Sequence, residues 1–223
     1  MARLPRLEWP GQTHYLIQRG HSALAAQGVF TDALDRASFM AALREAAAIT
    51  HVQVHAYALL ESELQLLTTP NEFGALGRLV QALGRRYVSA YNRRHHHRGS
   101  LWDGRFRCAI VEPGAPRLDA LRLVDGQSNV PGISSAGQRT GLARDRLLVD
   151  PPEFWALGNT PFDREVAYKA LLELGLPPER AAALRGAAMG GWAAGSPAFV
   201  AAVAASTVRP AQPRPRGRPR LLR

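Results

Sequence analysis

Two short apolar runs, separated by only two residues, lie near the middle of this 223-residue chain and constrain its fold most. Residues 51–60 alternate as a strand does, with Val52, Val54, Ala56, Ala58 and Leu60 on one side and Gln53, His55, Tyr57 and Leu59 on the other. Residues 63–69, ELQLLTT, form a second strand after the tight Glu61-Ser62 connection. A hairpin alone is marginal in water and must be completed by other elements. The flanks supply them. Residues 13–20, THYLIQRG, read as a strand ending at glycine, and residues 35–50 as a helix with Phe39, Met40, Leu43 and Ala47 inward. A helix from residue 73, a strand over 105–111 and a short helix around 117–124 follow. The order β-α-β-β-α-β predicts an α+β, ferredoxin-like antiparallel sheet with helices on one face.

The helix from residue 73 places Phe73, Leu76, Val80, Leu83, Tyr87 and Tyr91 on one apolar stripe. Arg78, Arg85, Arg86, Arg93 and Arg94 fall off it, and the helix runs into His95-His96-His97. Consecutive histidines there fit a helix C-terminus or a phosphate better than a metal. Arg105 and Arg107 flank Phe106 on the next strand. Planar guanidinium forks interleaved with aromatic rings suit phosphate oxygens and base faces. With Arg19, these arginines form the expected DNA-binding surface; the bland alternative is a solvated basic face.

The formal net charge of +10 agrees with a polyanion partner. Lys169 is the single lysine among 28 basic residues, a bias that a GC-rich coding sequence would also produce in part. The lone Cys108 excludes an internal disulfide and fits a reducing compartment. No apolar run reaches membrane length, so no membrane partner is expected, and a cytoplasmic, nucleoid-associated location is.

Four landmarks, MARLPRLEWPGQTHYLIQRG, HAYALLESELQLL, LGRRYVSAYNRRH and GSLWDGRFR, resemble in order those of the REP-associated tyrosine transposases, which are HUH-type single-tyrosine transposases of insertion sequences. The resemblance covers residues 1–135, and FWALGNTPFDREVAY and GWAAGSPAFV look like a segment of one subgroup. It implies a hairpin-binding fold with a central antiparallel sheet, often a homodimer, and DNA transposition by cutting single-stranded DNA beside an imperfect palindrome through a 5′-phosphotyrosine link.

The same resemblance marks where the chemistry should be. The family's two metal-binding histidines flank one hydrophobic residue; here those positions are Glu63, Leu64 and Gln65. Both imidazoles are replaced, although spacing of two still puts the side chains on one sheet face. The nucleophilic tyrosine corresponds to Leu123, which has no atom able to attack phosphorus, and the amide that completes the metal site to Gln127. Glu63, Gln65 and Gln127 could offer oxygen ligands, but the degenerate set makes polar surface residues the expected reading. No cofactor is expected; Mg²⁺ or Mn²⁺ enters only if cleavage survives.

Residues 126–143 are rich in Gly, Ser and Gln and read as loop. Helical patterns return at 161–174, 177–189 and 198–206, a helical appendage over 150–207. Residues 208–223 are too rich in Pro and Arg to fold, and 215–219, PRGRP, match an AT-hook, with Arg216 and Arg218 for a narrow A·T-rich minor groove. The expected domains are 1–135, 150–207 and 208–223. The expected function is that of a catalytically degenerate, transposase-like protein binding hairpin or single-stranded DNA, with A·T-rich duplex through the tail. The alternatives are an active single-tyrosine transposase using Tyr87 or Tyr91, and an RNA-binding module.

Overall fold

β1 (Thr13–Arg19) is buried in six of its seven residues and is paired on both sides, so it forms the middle of the sheet. α1 (Ala33–Thr50) follows, then β2 (Val52–Leu60) and β3 (Glu63–Pro70). The next helix is continuous in three parts: α2 (Ala75–Leu83), a π-helical turn (Gly84–Val88) and α3 (Ser89–Arg94). β4 (Arg107–Val111) completes the antiparallel set. These residues belong to a computed structural model that describes 6–24, 27–130 and 132–213; the AT-hook-like residues, with Arg216 and Arg218, lie outside it. The strand order is β2-β3-β1-β4-β5, where β5 (Ala193–Ala194) is a short parallel addition to β4. Tyr15 faces Leu67 across one ladder and Ala109 across the other. This is the ferredoxin-like, α+β sheet that the element order predicts.

Two local irregularities correct the expected faces. In β2 the register to β3 jumps between Val54 and Ala56, a bulge at His55. One extra residue reverses the alternation beyond it. Val52, Val54, Tyr57 and Leu59 therefore share one core, while Ala56 and Ala58 face the other. In the long helix the buried stripe is Leu76, Leu79, Leu83, Tyr87 and Tyr91; Phe73 is exposed and Val80 only half-buried. Repeated four-residue steps would rotate off a regular α-helical face, and the wider π turn keeps Leu83, Tyr87 and Tyr91 in line.

α1 and the α2–α3 helix cover one face, over Leu16, Leu64 and Leu66. α4 (Ala115–Asp125), α6 (Pro152–Trp155), α7 (Pro161–Leu174) and α8 (Pro178–Gly190) cover the other. Phe154, Tyr168, Leu184 and Ala188 share a core with Tyr15, Ile17, Ala56, Leu67 and Ala109 of the sheet. Residues 150–207 thus supply α6, α7 and α8 to this second face, and helices lie on both faces of the sheet. α9 (Pro197–Ser206) adds a smaller cluster of Val203 with Leu7, Ile110 and Ala211. No helix among the described residues is long and apolar enough to cross a membrane.

The second layer is pinned by a buried charge network. Arg139 of α5 (Ala136–Arg139), a helix inside the expected loop, is fully buried. Its guanidinium donates to Asp125 Oδ2 at 2.9 Å and to the His55 carbonyl, and lies 2.8 Å from Asp150 Oδ1 in an ion pair without hydrogen-bond alignment. Tyr168 donates to Asp125 Oδ2 at 2.7 Å, and Ser135 donates to Oδ1. Five segments meet at this carboxylate–guanidinium pair. Replacing Arg139 by Met removes the cation and leaves the buried Asp125 and the half-buried Asp150 without it, which should cost about 3–5 kcal/mol in urea unfolding. A loss below about 1 kcal/mol would mean that the layer is held by apolar packing alone.

Two buried histidines set an acid limit. The His14 Nδ1–H donates to the Gln12 carbonyl at 2.8 Å, while Nε2 accepts from the Trp9 amide. His55 likewise donates from Nδ1 to the Val149 carbonyl at 2.7 Å, and its Nε2 accepts from Thr69 at 2.8 Å. Burial lowers both, His14 to about 4. The unfolded chain takes up these protons near pH 6.5, the folded chain only below that. Stability from the neutral rings should therefore be complete above pH 6.5 and fall steadily toward pH 4. Urea midpoints measured over that range should show the slope, and His14→Gln should flatten it.

Candidate nucleic-acid interface

Glu63 and Gln65 lie two residues apart on β3, beneath α8, and both are buried. Tyr15 donates its hydroxyl to Gln65 Oε1 at 2.8 Å, and Gln65 Nε2 donates to Glu63 Oε1 at 2.6 Å. Arg185 of α8 closes the chain with a two-pronged grip, to Oε1 at 2.9 Å and Oε2 at 3.2 Å. Burial pushes the Tyr15 hydroxyl above its ordinary range, and hydrogen bonding to Glu63 raises Arg185. The expected reading, polar residues on an exposed strand face, is therefore corrected: the pair lies inside, tied to a cation from the second layer.

This arrangement does not fit a divalent metal. Both Glu63 oxygens and the Gln65 carbonyl already accept hydrogen bonds, and a guanidinium holds the cationic position. Gln127, the third candidate ligand, is exposed and donates to the Leu123 carbonyl at 2.8 Å, one turn back. No group of three or more His, Cys, Asp or Glu converges as a metal site among the described residues.

Leu123 packs in the second-face core with Leu121 and Val124 nearby. Tyr87 and Tyr91 lie in the first-face core, and their hydroxyls donate to the carbonyls of Val29 and Gly28. Burial pushes the Tyr87 hydroxyl up, away from the phenolate that an attack on phosphorus would use. Their aromatic neighbours are Phe30, Phe39 and His95, so the rings are packed among side chains.

The arginines divide into two sets. Arg78 pairs with Glu72, Arg86 with Glu45, and Arg94 with both Asp32 and Asp35. His95 adds to the Asp35 contact at 2.9 Å, which absorbs one member of the histidine cluster, and His97 bonds Asn92 at 2.9 Å. By contrast Arg19, Arg85, Arg93, Arg98, Arg105 and Arg107 are exposed. None of those six side chains has an acidic partner among the described residues. Arg19 and Arg107 emerge at the same end of the β1–β4 ladder, where the Asp103 amide donates to the Arg19 carbonyl at 2.9 Å. Sequence reasoning missed Arg185, which meets Glu63 across 122 positions, and also Arg6, which stacks 3.7 Å above the Phe106 ring. Neither carries a local signal; only tertiary packing brings them to these sites.

No family model matches the chain, and no curated protein matches it. Among solved structures it is similar to a REP-associated tyrosine transposase bound to a REP hairpin, at 10% identity, over 69% of this chain and 93% of that one, with a TM-score of 0.52. A chain from Deinococcus radiodurans R1, provisionally described as a transposase, aligns at 20% identity over 50% of this chain and 88% of that one, with a TM-score of 0.38. At these identities the first likeness concerns the fold: this chain shares the overall fold of a REP-associated tyrosine transposase.

Proposed function

We propose that this protein binds hairpin or single-stranded DNA on a transposase-type fold and does not cut it. The observation that carries the second half is the closed chain Tyr15–Gln65–Glu63–Arg185. Every side-chain oxygen of the metal-equivalent pair is already hydrogen-bonded, while Leu123 at the nucleophile position is a core side chain. The first half is supported by the fold likeness to a transposase solved on a hairpin and by the six exposed arginines without acidic partners. An RNA-recognition module would need an open sheet face with stacking rings, whereas both faces here are covered by helices. Incubation with Mg²⁺ or Mn²⁺ and an end-labelled hairpin should give retarded DNA, no shorter product and no denaturation-resistant adduct. An adduct mapping to Tyr87 or Tyr91 would sink the non-cutting reading.

The two arginine sets give a second test. Each phosphate neutralised by a free arginine releases counterions, roughly 0.7 in the slope of log K against log salt for a single strand. The pair Arg85→Gln and Arg93→Gln should flatten that slope by about 1.4. Arg78→Gln with Arg86→Gln should change it less, because Glu72 and Glu45 already oppose those charges. Equal effects from the two pairs would show that the intramolecular ion pairs open on binding.

A further inference from the structure

A cleft of about 450 Å³ lies beside the start of β4, walled by Arg6, Arg105, Arg107 and Arg209 and floored by Phe106 and the Gly190-Gly191 turn. Asp103 is the one carboxylate on its wall among the described residues. Four guanidiniums around one small space repel one another, and the fold holds them there from three separate segments. Arg6 is fixed by its stack on Phe106, 3.7 Å from the ring centroid, with its Nε buried and without a hydrogen-bond partner among the described residues. Arg209 is fixed by a 3.0 Å bond to the Gly190 carbonyl and lies over Trp192. Gly191 has φ +71° and presents no side chain; a Cβ there would meet the Arg209 guanidinium at 2.8 Å. Burial, together with repulsion from Arg105, holds Arg6 below its ordinary value, and burial with repulsion from Arg105 and Arg107 does the same for Arg209. Such a cluster is stabilised when an anion enters it.

We propose that this cleft is a phosphate-ester site, seating one phosphate of a bound strand between Arg6, Arg105 and Arg107 against the Gly190-Gly191 backbone. It rests on the nucleic-acid reading for what carries the phosphate, and not for the anion itself. Guanidinium forks match phosphate oxygens in pairs, and the glycine turn allows a close approach of backbone to ligand. Two sources share this chemistry: a terminal phosphomonoester and an internal phosphodiester.

Calorimetric titration of the full chain with inorganic phosphate, a 5′-phosphorylated thymidine trinucleotide and its 5′-hydroxyl counterpart tests the site. Saturable binding of inorganic phosphate and of at least one trinucleotide is expected. Arg107→Gln and Arg6→Gln should each weaken it roughly tenfold, the effect expected of one lost charge-assisted hydrogen bond. Arg144→Gln removes an exposed charge outside this cleft and should leave affinity within about twofold. Arg107 is exposed, so its variant keeps the test sound even if Arg6→Gln perturbs the Phe106 packing. Preference for the 5′-phosphorylated strand identifies a monoester end, and equal affinity identifies a backbone phosphate. Phosphate binding that is absent, or unchanged in both cleft variants, overturns the proposal. If hairpin DNA is not bound while inorganic phosphate is, and Arg107→Gln abolishes that binding, the cleft stands and the nucleic-acid reading falls. Hairpin binding by the wild type with no phosphate effect of either variant removes the cleft alone.

Discussion

The second layer of this protein depends on one buried pair, Arg139 with Asp125. A guanidinium without solvent is tolerable only where carboxylates and carbonyls surround it. Here that requirement gathers the end of α4, the short α5, the Asp150 segment, Tyr168 of α7 and the His55 bulge of β2. The bulge is part of the device, since it turns the His55 carbonyl toward Arg139 and its ring toward Val149 and Thr69. Apolar contact between Phe154, Tyr168, Leu184 and the sheet supplies area, and the ion pair supplies position. Loosely oriented helices could bury the same area in several registers; only one register satisfies Asp125.

The Glu63–Arg185 contact repeats this logic at the place where the resemblance puts a metal. A carboxylate on a covered sheet face must find a cation, and α8 delivers one across 122 residues. Once the helical layer closes over β3, the choice between a metal ion and a guanidinium is made by covalent attachment: a tethered arginine competes at a high effective concentration. Glu63 and Arg185 are thus complementary halves of one solution. Without Arg185, Glu63 would be a buried charge with no cation opposite it.

The sheet was legible because its signals are local. Alternation, tight connections and the order of elements place β1 to β4 and α1 within a few residues of where they lie, and the helix pattern at 161–174 matches α7. What local signals do not carry is relative placement. The alternation of β2 reads as unbroken, because a bulge is set by what His55 bonds at residues 69 and 149 and not by its own neighbours. The segment 126–143 reads as loop because α5 has only four residues and exists to hold Arg139. The arginines show the same limit: Arg78, Arg86 and Arg94 look equivalent to Arg85 and Arg93 on the helix, and only Glu72 ahead of α2 and the carboxylates of α1 and its N-cap separate them. At the candidate site, residue identities were readable at Glu63, Gln65 and Leu123, and their surroundings were not.

Closing both faces of the sheet also decides where a polyanion can touch. Open-faced sheets of this topology present their strands to a ligand, but here Tyr15, Ile17, Leu67 and Ala109 lie under α4 and α8, and Leu16, Leu64 and Leu66 under α1 and α2. Among the surfaces left are the outer side of the α2–α3 helix and the end of the β1–β4 ladder. Those carry Arg85, Arg93, Arg19, Arg105 and Arg107, five of the exposed guanidiniums with no carboxylate opposite among the described residues. The distribution is not what uniform surface charge would give, because acids were available: Glu72, Glu45, Asp32 and Asp35 each neutralise an arginine on the same helix. Leaving the others unopposed costs self-repulsion in the free protein, which counter-ions screen and which, on the proposed reading, the phosphates of a bound strand would relieve.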